Sequence, residues 1–250
     1  MEEKKIIHYC WFGPNKISKL AEKCLESWKK YLPDYEIMLH TEDNFDFNKN
    51  KFIKEAYENK KWAFVSDYAR LEALYKYGGI YFDTDMEVTK DISEILEKEC
   101  VFGVEDSKMV AAGFIYVKNS NNKFIKKILD IYDDMKIFDK QNIYKITIPA
   151  IITKEMQNYG YDKTNTNIQY LEQVDITIYP QEYFYPQSYD NQKNNFTKNS
   201  CMIHHYDGTW SSKQEKIKIY FIRNNMKFMV KVVDIILAVN RKVKKIFKVK

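Results

Sequence analysis

The segment that decides the fold is Tyr77–Val88, which reads YGGIYFDTDMEV. Two glycines precede three bulky apolar residues, and two aspartates, Asp83 and Asp85, follow them. Side chains alternate along a strand, so the two carboxylates would point to the same side if the strand continues extended that far. Carboxylate oxygens are ligands that Mg²⁺ and Mn²⁺ prefer, and such metals keep positions for water and substrate phosphates. The segment therefore predicts a strand that ends in a divalent-metal site.

The residues before this strand, Trp62–Tyr77, predict a helix, because they contain no Gly or Pro and end at Gly78, a typical C-cap. Asp67 and Arg70 fall on its apolar side, three residues apart and within reach of each other. Buried charges cost several kcal/mol unless they are paired or used. The two residues are either an internal ion pair that fixes packing or part of a site. Their position directly before the acidic strand end favours the site.

Two stretches, 64–70 (FVSDYAR) and 74–85 (LYKYGGIYFDTD), resemble the core of glycosyltransferase family 32. That family includes bacterial capsular and other polysaccharide glycosyltransferases, yeast mannosyltransferases and distant relatives in the glucosylating clostridial toxins. The opening 5–13 (KIIHYCWFG) and the closing 205–210 (HYDGTW) also resemble family segments, so the resemblance spans 5–212. It implies a metal-dependent retaining glycosyltransferase. The donor would be a nucleotide-sugar, with UDP-sugars favoured, and the acceptor a glycan or lipid-linked glycan in polysaccharide biosynthesis such as capsule.

The resemblance also implies roles for individual residues around the acidic strand. Asp67, Arg70 and Tyr81 would contact the ribose and the sugar hydroxyls of the donor, and Asp67, Arg70 and Asp85 would be the catalytic group. Retention of the anomeric configuration is implied by the likeness alone. No residue is an assured nucleophile, although Glu105 and Asp106 follow an apolar strand and offer carboxylates.

The N-terminal part of the chain predicts a βαβ unit. Strands over 5–12 and 35–40 enclose a helix that Ser18 can cap, and no Gly-x-Gly-x-x-Gly dinucleotide fingerprint follows the first strand. The resemblance places Tyr9 and Trp11 beside the donor, with Trp11 stacked on the uracil; a core tryptophan is the alternative. Strands and helices alternate onward, which predicts an α/β fold. The resemblance makes it a GT-A-like nucleotide-sugar-binding fold, a mostly parallel mixed sheet flanked by helices, with a C-terminal helical extension.

A last strand over 201–205 ends in two adjacent histidines, of which only one can face the site in an extended chain. Related retaining enzymes place a metal ligand at the end of this strand, so the resemblance assigns His205 to the metal beside Asp83 and Asp85. A buried core histidine is the alternative. Segment 207–212 would then close over the donor as a lid, with Trp210 reaching the diphosphate. The expected cofactor is Mn²⁺ or Mg²⁺.

Composition limits the class of protein. Apolar residues make up 45% and aromatic residues 16%, which excludes a disordered chain. The four cysteines form no Cys-x-x-Cys pair, and no secretory signal opens the chain, so a reducing cytoplasm is expected. The net charge of +5 is unevenly placed: residues 213–250 hold twelve Lys and Arg against two acids, and residues 1–212 hold 28 against 33. The body is therefore acidic, and no nucleic-acid partner is expected.

We expect two parts, a GT-A-like domain over 1–212 and a basic amphipathic helical tail over 213–250. The apolar run 228–239 has only twelve residues and two charges, too short to span a bilayer, and the basic segment 241–248 follows it. Such a tail suits peripheral contact with an anionic membrane, here the inner face of the plasma membrane. A helix packed on the domain is the alternative.

Two other functions share parts of this pattern. An Asp-x-Asp at a strand end also occurs in phosphatases of the haloacid dehalogenase type, in which Asp83 would be a covalent nucleophile. A catalytically silent sugar-nucleotide-binding protein would keep the fold without turnover. The intact set Asp67, Arg70, Asp83 and Asp85 argues against loss of catalysis.

Overall fold

The computed structural model describes residues 5–105, 108–135, 147–189, 194–208, 213–224, 226, 228–234 and 236. The chain divides into two compact units. The first comprises residues 1–187 and 195–207, and the second comprises residues 188–194 and 208–250.

The strands of the described residues are β1 Ile6–Cys10, β2 Glu36–His40, β3 Gly79–Phe82, β4 Met86–Val88, β5 Cys100–Val104, β6 Val110–Val117, β7 Gln169–Leu171, β8 Ile176–Tyr179 and β9 Met202–His204. The α-helices are α1 Lys19–Tyr31, α2 Lys51–Glu58, α3 Trp62–Tyr77, α4 Lys123–Asp133, α5 Ile148–Gln157, α6 Gln181–Phe184 and α7 Lys213–Arg223.

The first unit is built on a seven-stranded sheet in the order β2-β1-β3-β6-β5-β8-β7. Strands β1, β2 and β3 run parallel to one another, β6 is antiparallel to both β3 and β5, β8 is parallel to β5, and β7 is antiparallel to β8. Five of the seven strands therefore point in one direction. This confirms the predicted α/β fold with a mostly parallel mixed sheet flanked by helices.

Each face of the sheet carries its own apolar cluster, because neighbouring residues of a strand point to opposite faces. Cys10 of β1 and Tyr81 of β3 belong to one cluster, which also includes buried residues of α2, α3, α4 and α5. Tyr9 and Phe82 belong to the other cluster, where Phe82 stacks on the fully buried Trp28 of α1 at 5.0 Å between ring centroids. The sheet is covered on both faces.

Helix α3 leads straight into β3, as predicted. It begins at Trp62 and ends at Tyr77, and its C-cap Gly78 has φ +68, in the region that favours glycine. Gly79, with φ +92, has room for no Cβ, which would lie 2.4 Å from the carbonyl oxygen of Ile6. The two glycines therefore turn the chain and let β3 pair closely with β1, which places Asp83 directly after the end of the strand.

The strand that carries the aspartates is shorter than the sequence indicates. β3 ends at Phe82, and residues 83–86 form a turn that is closed by a hydrogen bond from Met86 N–H to Asp83 O at 2.9 Å. β4 then pairs with β9 in a separate two-stranded antiparallel sheet. Asp83 and Asp85 are thus not alternate residues of one extended strand, and a turn brings them together instead.

In the second unit, α7 is followed by helical backbone over residues 228–234. Lys218 of α7 forms an ion pair with Asp234. No helix in the described part of the chain is both long and apolar enough to cross a membrane.

Candidate active site

Asp83 lies at the carboxyl end of β3 and is fixed by both backbone and side chain. Its N–H donates to the carbonyl of Gly113 in β6 at 2.7 Å. Its Oδ1 accepts a hydrogen bond from the Tyr81 hydroxyl at 2.9 Å and lies 3.2 Å from Nη1 of Arg70. About a quarter of the side chain, 28%, is exposed. Asp83 is therefore held on one side by buried groups and is open on the other.

Arg70 is the buried cation that joins the carboxylates of this cluster. It lies 3.0 Å from Asp67, donates from Nη1 to the carbonyl of Ala112 at 2.7 Å, and stacks over the ring of Tyr81 at 4.5 Å. Burial alone would lower the pKa of the guanidinium, but Asp83, Tyr81 and Asp67 raise it, so Arg70 stays charged. One arginine thus offsets two acids, which makes the predicted pairing of Asp67 and Arg70 part of a larger network.

Asp67 is the most deeply buried acid of the network. Burial raises the pKa of its carboxyl to about 6, while Arg70 and a hydrogen bond from the N–H of Ile148 oppose that rise and Asp83 adds to it. Ile148 is the first residue of α5, and its N-cap Thr147 makes no side-chain capping bond. Asp67 therefore also satisfies the start of a neighbouring helix.

Asp85 lies in the turn after β3 and contacts the last residue of β9 and the segment that follows it. Its Oδ1 lies 3.1 Å from Nε2 of His204, and its Oδ2 accepts from the N–H of Asp207 at 2.8 Å. Burial alone would raise the pKa of Asp85, but the His204 imidazole and these hydrogen bonds lower it to about 2. The pKa of His204 is raised, because Asp85 and, more weakly, Asp83 and Glu105 outweigh its burial. Asp85 is therefore an anion at any physiological pH.

Asp83, Asp85 and His204 together could hold a metal ion, since one ligand atom from each lies within 4.8 Å of the others. The donor set fits a divalent cation: carboxylate oxygens suit Mg²⁺ and Mn²⁺, and imidazole suits Mn²⁺. Nδ1 of His204 is buried and has no hydrogen-bond partner within the described residues. A buried nitrogen without a partner is costly in a purely structural histidine, so this observation favours a ligand.

The structure brings His204, and not the expected His205, to the two aspartates. β9 pairs with β4 so that His204 lies opposite Met86, directly after Asp85. The side chain of His205 instead approaches Glu87, at 2.8 Å between Nε2 and Oε2. Because Asp85 lies in a turn before β4, its carboxylate leaves the alternation of that strand and meets the histidine of the opposite face. The candidate ligand is therefore His204 in place of His205.

The remaining expected donor residues lie at different places. Trp11 follows β1, is partly exposed, and donates from Nε1 to the carbonyl of Asn15 at 2.7 Å. Tyr9 is buried on the other face of the sheet from Tyr81 and packs edge-on against Trp28 at 5.7 Å. Trp210 and most of the expected lid lie outside the described residues. The structure thus gathers Asp67, Arg70 and Tyr81 with the aspartates, and it leaves Tyr9 in the core.

Three contributors to the site are not evident in the sequence. The carbonyl of Ala112 and the N–H of Asp207 are backbone groups, which no side-chain pattern reveals. Tyr185 packs its ring against that of His204 at 5.8 Å. It belongs to an aromatic segment, 179–189, whose tyrosines the sequence alone does not distinguish from one another.

Fold and site together define the class of this protein. Residues 18–102 match the family model described as "Glycosyltransferase sugar-binding region containing DXD motif", and Asp83 and Asp85 lie inside the matched range. The protein is a glycosyltransferase of the GT-A fold. More particularly, residues 18–102 are similar to this DXD-containing sugar-binding region, and Asp83-Thr84-Asp85 is the DXD sequence within them. The match confirms the glycosyltransferase resemblance of the sequence, and it assigns the strand end to a glycosyltransferase rather than a phosphatase.

Other proteins are similar to this chain in sequence or in fold. An uncharacterized glycosyltransferase of Acanthamoeba polyphaga mimivirus is 24% identical over 251 residues, which cover 90% of each chain. The glycosyltransferase GlyE of Streptococcus pneumoniae has a similar fold, with a TM-score of 0.50 and 12% identity over 89% of this chain and 63% of GlyE. The PaToxG glycosyltransferase has a TM-score of 0.46 and 21% identity, over 62% of this chain and 68% of its own.

Proposed function

We propose that this glycosyltransferase is metal-dependent and retaining, and that it uses a nucleotide-sugar donor, with UDP-sugars favoured. The acceptor would be a glycan or lipid-linked glycan in polysaccharide biosynthesis such as capsule. One observation supports the metal dependence: Asp83 and Asp85 of the DXD turn lie close to His204, whose Nδ1 has no hydrogen-bond partner among the described residues. Donor class, acceptor class and retention rest on the resemblance to family 32.

The residues of the chain would prepare this site before the donor arrives. Arg70 and Tyr81 both hold Oδ1 of Asp83, so that carboxylate can turn little. Asp85 is kept ionised by His204 and by the N–H of Asp207, so it offers a negative oxygen at neutral pH. A bound Mn²⁺ or Mg²⁺ would supply positive charge against the diphosphate of the leaving nucleotide. Preorganised ligands of this kind avoid reorganisation during the reaction.

Asp67, Arg70 and Tyr81 are the residues that we assign to the ribose and the sugar hydroxyls of the donor. They form one buried cluster behind Asp83, and Arg70 contacts each of the others. Because Arg70 lies beside both carboxylates, its positive charge offsets part of the cost of their burial. Together with Asp85, Asp67 and Arg70 are the proposed catalytic group. No described carboxylate is assigned as a nucleophile.

Trp11 and the lid complete the proposed donor site. Trp11 lies directly after β1 with part of its indole exposed, a position that allows a nucleotide base to stack on it. We retain Trp210 and segment 207–212 as the proposed lid over the diphosphate.

The tail over 213–250 is proposed to make a peripheral contact with an anionic membrane on the cytoplasmic side. Nine large apolar side chains are exposed among the described residues, and five of them lie in this short segment: Ile217, Tyr220, Phe228, Val232 and Ile236. The same segment carries the excess of ten positive charges. Exposed apolar groups within a basic segment are typical of helices that lie on lipid.

A thermal-shift panel of UDP- and GDP-sugars, each with and without Mn²⁺, tests the proposal. A ligand at a hundred times its dissociation constant adds about 2.7 kcal/mol to the free energy of unfolding, which is easily measured. We expect a UDP-sugar to raise the melting temperature only when Mn²⁺ is present. Stabilisation without sugar transfer to any acceptor or water would indicate a silent binding protein. No stabilisation by any nucleotide-sugar would contradict the donor assignment.

A further inference from the structure

Tyr185 is a fully buried phenol whose ring contacts the histidine of the candidate metal site. It follows α6, and its ring meets the imidazole of His204 nearly edge-on, at 78° and 5.8 Å between centroids. Its hydroxyl oxygen accepts a hydrogen bond from the N–H of Phe114 in β6 at 2.9 Å. Backbone and ring packing therefore fix both the ring and the hydroxyl of this residue.

Two glycines on neighbouring strands leave the space that this phenol occupies. A Cβ on Gly103 of β5 would lie 2.9 Å from Cε2 of Tyr185, closer than folded proteins allow. A Cβ on Gly113 of β6 would lie 3.5 Å from the Tyr185 hydroxyl and 3.1 Å from Oδ2 of Asp83. The Tyr185 hydroxyl and Oδ2 of Asp83 thus both lie near Gly113. A side chain at this position would come close to both of them.

The hydroxyl of Tyr185 can act as a donor toward this space. A tyrosine hydroxyl has one proton to donate besides its acceptor positions, and the N–H of Phe114 occupies only an acceptor position. A tyrosine hydroxyl has an ordinary pKa of about 10, so it keeps this proton at neutral pH.

We propose that Tyr185 is a positioning residue of the proposed metal site. Gly113 allows this role because it places no side chain between the Tyr185 hydroxyl and Asp83. The ring limits the rotation of the His204 side chain, and the hydroxyl is a polar group in a fixed position beside Oδ2 of Asp83. The inference rests on the proposed metal dependence. It differs from a packing role for Tyr185, because it assigns the effect to the hydroxyl and not to the ring alone.

Tyr185→Phe tests this directly, because it removes the hydroxyl and keeps the ring. Loss of the partner of the Phe114 N–H will lower stability, so the decisive readout is the dissociation constant of Mn²⁺ on the folded protein. Isothermal titration or the electron paramagnetic resonance of free Mn²⁺ measures it, with and without UDP. Removal of groups that orient metal ligands commonly weakens metal affinity 10- to 100-fold, and we expect a loss of about tenfold.

Gly113→Ala is the second variant, because its Cβ would press on Oδ2 of Asp83 from the side of the sheet. We expect it, too, to weaken Mn²⁺ binding. Tyr183→Phe is the matched control: it removes a hydroxyl from α6 at a residue that packs on Tyr179 at 4.9 Å. It should bind Mn²⁺ as the wild type does.

Wild-type Mn²⁺ affinity in folded Tyr185→Phe would overturn the assignment to the hydroxyl. Should that variant not fold, Gly113→Ala carries the test, because its Cβ would lie close to both the Tyr185 hydroxyl and Oδ2 of Asp83. Wild-type Mn²⁺ affinity in folded Gly113→Ala would show that the space between these two groups does not affect the metal site, and this would overturn the proposal. A wild-type protein that binds no Mn²⁺, with or without UDP, would contradict the proposed metal dependence itself. The two failures are therefore distinguishable.

Discussion

At the scale of single residues, two adjacent histidines have different surroundings. His204 meets Asp85 and Tyr185, whereas His205 lies beside Glu87, which also accepts a hydrogen bond from Lys23 at 2.8 Å. The contact between His205 and Glu87 is partly exposed and contributes little to stability. Nδ1 of His204 has no hydrogen-bond partner among the described residues, and His204 lies with Asp83 and Asp85, so we propose His204 as the ligand.

We therefore predict that His204→Ala raises the Mn²⁺ concentration needed for half-maximal activity, because a ligand is lost. His205→Ala is the matched control from the same segment, and its Mn²⁺ requirement should stay close to that of the wild type. Titration of initial rates with Mn²⁺ at saturating donor measures both. A greater Mn²⁺ requirement in His205→Ala than in His204→Ala would reverse the assignment.

The two histidines also show where reasoning from sequence ends at this scale. Alternation along a strand states correctly that only one of them can face the site. Which one does so depends on the turn at Asp83–Met86 and on the pairing of β9 with β4. The pairing joins residues more than a hundred positions apart, and no local pattern encodes it. The acids, by contrast, follow an apolar strand and can be found from sequence alone.

At the scale of elements, a buried histidine pair links β1, β2 and the end of α3. His8 Nε2 lies 3.0 Å from the carbonyl of Gly78, which can only accept, so that nitrogen carries the proton. His8 Nδ1 then accepts from Nε2 of His40 at 3.1 Å. Burial, with the neighbouring histidine for His8 and Lys76 for His40, lowers the pKa of each to about 4. The pair is therefore neutral in the folded protein.

This pair predicts a pH dependence of stability. Unfolded histidines have pKa values of about 6.5, so between pH 6.5 and 4 the unfolded state binds more protons than the folded state. The contribution of each histidine is complete above pH 6.5 and is lost as the pH falls, by up to about 1.4 kcal/mol per pH unit.

Urea unfolding of wild type and His40→Gln between pH 7 and 5 measures this contribution. Asp67 and His204 have raised pKa values and act with the opposite sign, so the comparison of slopes is more informative than the slope of the wild type alone. The free energy of unfolding should fall less steeply with acid in the variant. Parallel slopes in the two proteins would show that His40 is not buried in its neutral form.

Most elements of the first unit could be predicted from sequence, for local reasons. Ser18 caps α1 by accepting from the N–H of Ala21, and Gly78 ends α3, as the sequence indicates. The separation of β4 from the main sheet could not be predicted, because Phe82 and Met86 are both apolar and the interval between them is short. β3 and β4 are separate strands because β4 pairs with β9, whereas β3 pairs within the main sheet.

At the scale of the whole molecule, positive and negative charges are unevenly distributed along the chain. Residues 1–212 are acidic, and the tail over 213–250 carries the excess of positive charge together with exposed apolar groups. Removal of residues 226–250 should therefore abolish binding to vesicles of anionic lipid while activity on a small soluble acceptor is kept. Because surface attraction is screened over about 8–10 Å, the binding of the full chain should also weaken as salt is added.

Cosedimentation with phosphatidylserine-containing vesicles, with neutral vesicles as the control, measures this prediction. Equal binding of the full and shortened chains, or equal binding to neutral and anionic vesicles, would refute the tail as an electrostatic membrane contact.

Asp83→Asn tests whether the DXD turn carries out metal-dependent sugar transfer. The amide keeps the size of the side chain and removes the charge that Arg70 balances. The measurement is the release of nucleotide from the preferred nucleotide-sugar by wild type and variant, each with Mn²⁺ and with a chelator. We predict turnover in the wild type only with metal, and a fall in kcat/KM of about a hundredfold or more in a folded Asp83→Asn. Near wild-type turnover in the variant, or turnover unaffected by the chelator, would contradict the account.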